Sequence, residues 1–81
     1  MSIEQLKPFI DSDDKYVATV AADLAQIDDD FRSGAINEKM YKELVTDALE
    51  LAKVRAEASS LDTKIKIEKV ADIIRQIAGF V

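Results

Sequence analysis

Residues 17–38 read VATVAADLAQIDDDFRSGAINE, and the fold is decided there. Val17, Val20, Leu24, Ile27 and Phe31 recur at intervals of three, four, three and four, which places them on one helical stripe facing a partner helix. Beyond the stripe comes Gly34, free to take the left-handed backbone on which many helices end, and then Asn37, whose side-chain oxygen suits the start of the next helix. Ser33 to Ile36 is therefore a tight turn, and a second helix opens at Glu38. The segment is a helical hairpin.

Working outward toward the N-terminus, Ser12 or Asp11 is placed to cap a first helix over 12–33, with Asp13 and Asp14 in its first turn where the helix dipole favours anions. The same spacing continues back through Ile10, Leu6 and Ile3, interrupted by Asp13. Ser2 and Gln5 form a capping box for this segment. Pro8 lacks the N–H that a continuing helix needs, so a break or kink is expected there, with Leu6, Phe9 and Ile10 folding back over 2–10 as a short apolar clasp.

Toward the C-terminus, the second helix, over 38–58, carries Met40, Tyr41, Leu44, Val45, Ala48, Leu51, Ala52, Val54 and Ala58 on about half its circumference. That is wider than one antiparallel neighbour requires, so it should touch two helices. Arg55 falls on this face, either with its stem packed and its head in water, or paired with Asp13 or Asp28 of the first helix. Ser59, Ser60 and Asp62 are weak helix formers and good caps, which predicts a turn and a third helix over 61–78 ending near Gly79. One long helix running straight through is the alternative. Lys64 to Glu68 alternates like an edge strand, but it runs into the helical spacing of Val70, Ile74 and Ile77, and length favours helix. The fold class is thus all-α, a helical hairpin or three-helix bundle with an N-terminal clasp.

The third helix offers Ile67, Val70, Ile73, Ile74 and Ile77, followed by Phe80 and Val81, a face too wide for a three-helix domain to hide. These seven residues are the expected interface of a homo-oligomer, most simply across a two-fold axis. Size points the same way: a chain of 81 residues buries only about 60–65% of its unfolded surface and needs support. With no Cys and no His, disulfides are impossible and a structural zinc site lacks its usual ligands, so self-association is the support left.

The net charge of −5 is uneven, because residues 1–30 hold eight acids against Lys7 and Lys15. Phosphate binding needs clustered Lys and Arg, so direct contact with nucleic acid is not expected, and a basic protein partner is the better electrostatic match. Asp23, Asp28, Asp29 and Asp30 form the expected acidic partner surface. An acidic N-terminus and the lack of any apolar run of about 18 residues predict a soluble, cytoplasmic chain without signal or membrane span.

The chain holds little chemistry. Asp29, Ser33, Gly34, Ile36 and Asn37 fall at positions 1, 5, 6, 8 and 9 of a calcium loop, yet Phe31 stands at position 3 and Met40 at position 12, where a bidentate Glu belongs. The triplet Asp28–Asp30 is better read as a solvated acidic turn before a Gly cap. Without His, Cys or a Gly-rich phosphate loop the common catalytic arrangements are missing. Asp23, Asp28 and Glu43 show neither a cleft nor a partner that would tune a catalytic carboxylate. No enzyme activity, metal or cofactor is expected.

Leu24, Ile27, Phe31, Gly34, Ile36, Asn37, Tyr41 and Leu44 resemble the helical hairpin of the short C-terminal domain (SHOCT) family. Its pattern has Gly, Ile two residues later, a cap residue three later and an aromatic seven later, offsets met by Gly34, Ile36, Asn37 and Tyr41. The resemblance covers residues 24–44 and implies oligomerisation or docking rather than catalysis. Residues and resemblance together suggest a non-enzymatic interaction and self-association module, an adaptor or assembly factor of the kind found in bacterial or viral particles. The rival reading is a small acidic inhibitor that imitates nucleic acid in a basic cleft of a target.

Overall fold

A computed structural model of the chain describes residues 3–79. Among them every regular element is helical: a 3₁₀ turn (Ile3–Leu6) leads into α1 (Lys7–Ile10), followed by α2 (Lys15–Arg32), α3 (Glu38–Ala56) and α4 (Leu61–Ala78). The three long helices pack pairwise, and the N-terminal segment lies across α2 and α4.

The hairpin turn is closed by backbone geometry that only glycine takes readily. Gly34 has φ +85°. Its N–H donates to the Phe31 carbonyl at 3.1 Å, and the Ala35 N–H reaches back to the Asp30 carbonyl at 2.9 Å. These two bonds make a Schellman ending, which satisfies carbonyls that the last turn of α2 would leave unpaired. Asn37 then caps α3, its Oδ1 accepting from the Met40 N–H at 2.8 Å.

The helix type changes beside Pro8, from the 3₁₀ turn to α1, and the chain reverses direction after α1. Pro8 sits in the first turn of α1, where a missing N–H costs nothing. The reversal falls at Asp11–Asp14, with the Asp14 N–H donating to Ser12 Oγ at 3.1 Å. The cap of α2 is accordingly Asp14, later than Ser12 or Asp11. Leu6 is fully buried, with Phe9 and Ile10 packed at the core's edge. Ser2 lies outside the described residues.

Asp14 also joins two helix starts. Its Oδ1 accepts from the Tyr16 and Val17 N–H groups at 3.1 and 3.3 Å, while its Oδ2 accepts from Thr63 Oγ at 2.5 Å. Ser60 caps α4 through the Thr63 N–H at 3.3 Å and donates its own hydroxyl to Thr63 Oγ at 3.2 Å. The break between α3 and α4 is thus made by serine capping, with no glycine or proline in it. One carboxylate serves the positive ends of two helices, and the Thr63 hydrogen bond foremost holds its pKa below the ordinary value of 3.8.

The core is a single cluster centred on Val17, Leu24, Val45, Ile67, Val70 and Ile74. Three of the seven residues expected at an oligomer interface belong to it. Ile67, Val70 and Ile74 are buried within this chain, and Ile73 and Ile77 are half-buried. Phe80 and Val81 lie outside the described residues. The wide apolar face of α4 is consumed because both other long helices and the clasp contact it.

Two predictions follow from these turns. Gly34→Val should lower stability by about 1–2 kcal/mol, since nothing crowds the added Cβ and the penalty is the left-handed backbone itself. Urea unfolding of the variant beside the parent measures it. Thr63→Val should raise the Asp14 pKa toward 3.8, read by carboxyl-carbon NMR titration. With a depressed folded-state pKa, the Asp14 contribution is present above the unfolded value and is lost as pH falls through the folded one, so the variant should retain less of it.

Candidate docking face

α3 carries two apolar rows. Tyr41, Val45, Leu49, Ala52 and Ala56, spaced by four, four, three and four, point into the core and are buried. A second row, Met40, Leu44, Asp47, Leu51 and Val54, is spaced by four, three, four and three and faces away. Its apolar members are exposed: Met40 46%, Leu44 39%, Leu51 51% and Val54 66%. Consecutive residues on a helix are about 100° apart, so a helix buried by two neighbours can still hold an apolar row in water.

The second row borders a groove between α2 and α3. At one end the groove is lined by Tyr16, Thr19, Val20, Ala52 and Arg55, and at the other by Gln26, Ile27, Leu44 and Asp47, with Asp23, Ala48 and Leu51 common to both. Small residues make it shallow-floored: Ala52 is buried and Ala48 half-buried. Tyr16 pins one end by donating its hydroxyl to the Ala52 carbonyl at 2.8 Å, and burial pushes its phenol pKa up. Arg55 is exposed at that end. It forms no ion pair with a described residue, and Asp28 is paired elsewhere.

The rotation of α3 that exposes this row is set by a buried polar contact. Asp28 is 2% exposed. Its Oδ1 accepts from the Tyr41 hydroxyl at 2.8 Å, and its Oδ2 from Arg32 Nε at 2.7 Å. Phe31 stacks on Tyr41 with ring centroids 4.5 Å apart and planes within 6°. Desolvation first, and then the bond to Asp28, push the Tyr41 phenol pKa far up, so it stays a donor.

The expected acidic surface is therefore split. Asp28 belongs to the interior and is withdrawn from it, while Asp29 is exposed, and Asp30 is held by Gln26 Nε2 at 3.0 Å. Asp23 stands apart from them, on the α2 wall of the groove. The burial of Asp28 had a signal in the spacing, since Val17, Ala21, Leu24 and Asp28 continue at four, three and four. The hairpin residues Gly34, Ile36, Asn37 and Tyr41 are brought together at one end of the molecule, with Ile36 and Tyr41 in the two positions of a hydrophobic staple. Met40, Leu44, Leu51 and Val54 were visible in the sequence as part of one broad face, but not as a row apart from the core. Among the described residues no three carboxylates gather where a metal ion could be held, and no helix is long and apolar enough to cross a membrane.

Tyr41→Phe leaves Asp28 Oδ1 without its donor, and the expected loss of stability is about 1–3 kcal/mol by denaturant unfolding. A variant as stable as the parent would show that the contact does not hold the hairpin.

No family model matches this chain, and no curated protein or solved structure is significantly similar to it. The resemblance to the short C-terminal domain hairpin rests on the sequence pattern of residues 24–44.

Proposed function

We propose that this chain is a non-enzymatic protein–protein interaction module, an adaptor or assembly factor that works by docking helices on the open face of its α2–α3 hairpin. The observation that supports this reading is the exposed row Met40, Leu44, Leu51 and Val54 beside a groove floored by Ala48 and Ala52. Single exposed apolar residues, such as Leu61 and Ile65 on α4, are ordinary. A row at coiled-coil spacing is not, because covering it with one partner gains about 1 kcal/mol per half-exposed side chain. Summed over four residues, that gain is comparable to much of the stability of a domain this small.

Self-association belongs to the same reading, on a different surface. Since Ile67, Val70 and Ile74 are already buried, α4 has no wide face to give, and a second copy would meet the α3 row instead. The acidic-inhibitor alternative draws on Asp23 and Asp29. With Asp28 turned inward, its patch is one acid thinner than the run of acids suggested, and we favour docking.

A photo-crosslinking side chain at position 51 tests this. In the cells that make the protein it should capture a discrete adduct, whether a second copy or another protein, and the same group at Lys69, exposed on α4, should capture none. Equal capture at both positions, or none at either, ends the reading. Leu51 is half exposed, so the substitution should change stability by no more than about 0.5 kcal/mol.

A further inference from the structure

We infer that the occupant of the α2–α3 groove is an amphipathic helix of a partner protein, its apolar stripe flanked by Lys or Arg. The inference rests on the docking reading above and names its partner.

The spacing selects a helix. Rows alternating three and four residues receive knobs from another helix at the same repeat, whereas an extended segment repeats every two. From Met40 to Val54 the row rises about 21 Å, four turns of a helix lying along it. Ala48 and Ala52 in the floor leave room for close approach.

The charge selects the partner. Asp47 occupies the middle of the row, between Leu44 and Leu51, and Asp23 lines the same groove from the α2 side. Neither carboxylate is in an ion pair with a described residue. A docked helix would take both carboxylates out of water, which is unfavourable unless a cation meets them. Arg55, the one cation lining the groove, stands at its far end, beyond the row's centre. Asp47 is the row's central member, so two copies meeting across an axis at that point would set carboxylate against carboxylate. A single charged residue in a seam dictates what may pair with it.

The test uses the full chain and three synthetic helical peptides of about 18 residues. One has a Leu stripe flanked by Lys, one has the same stripe flanked by Glu, and the third scrambles the first so that its stripe is lost. By fluorescence anisotropy at low salt the Lys-flanked peptide should bind at least about tenfold more tightly than either other, and weaken roughly tenfold when salt rises to about 0.3 M. Asp47→Lys should reverse the preference between the Lys and Glu peptides. Leu51→Glu adds negative charge yet should abolish binding, which bulk attraction of a basic peptide to an acidic protein would not do. Circular dichroism establishes that both variants are folded. Equal binding of the Lys and Glu peptides overturns the partner assignment and leaves the docking face standing. So does a parent that light scattering finds dimeric and that Leu51→Glu makes monomeric. A monomeric parent that binds none of the peptides overturns the docking face as well.

Discussion

A carboxylate taken out of water organises this molecule. Asp28 is closed in between α2 and α3, and a buried charge is tolerated only when every lone pair facing the interior has a donor. Tyr41 and Arg32 supply them at 2.8 and 2.7 Å. Arg32 comes from the same helix one turn on and would be there in any packing. Tyr41 comes from the other side of the hairpin, so its bond fixes the rotation of α3 against α2. A purely apolar interface between two helices tolerates several rotations of similar energy, whereas a hydroxyl that must reach one oxygen tolerates few.

That rotation determines everything on the surface of α3. With Tyr41 inward, Val45, Leu49, Ala52 and Ala56 follow it into the core, and the row one or two residues earlier is carried outward. The groove exists because α4 and the N-terminal clasp cover the opposite side of the hairpin. Asp14 and Thr63 tie the starts of α2 and α4 together on that side. The interior contains no unsatisfied side-chain polar atom among the described residues. The open face holds Asp23 and Asp47, neither in an ion pair with a described residue, beside the exposed apolar row.

The fold class, the hairpin turn and the positions of its caps were legible in the sequence because each is a local matter. Intervals of three and four residues report which side chains share a face of one helix. Gly34 and Asn37 act within a few bonds of their own backbone, and the structure gives them φ +85° and a cap on Met40 N–H for that reason. Serine caps at 59–60 carried the last break in the same way. Pro8 marks the change from the 3₁₀ turn to α1, and in that first turn its missing N–H is harmless, so the full reversal comes only at Asp11–Asp14.

What tertiary structure alone decided is which of two eligible faces is buried. The sequence by itself determined that α3 and α4 each have more apolar surface than one neighbour can cover, but periodicity has no term for where the neighbours stand. α4 contacts α2, α3 and the clasp, and its wide face, including Ile67, Val70 and Ile74, is spent in the core. α3 contacts α2 and α4 on one side only, so Met40, Leu44, Leu51 and Val54 remain in water. The same holds for charge. Asp28, Asp29 and Asp30 are chemically identical in the chain, and it is their angles around one helix axis, set against Tyr41 on another, that make the first an interior ligand and leave its neighbours outside.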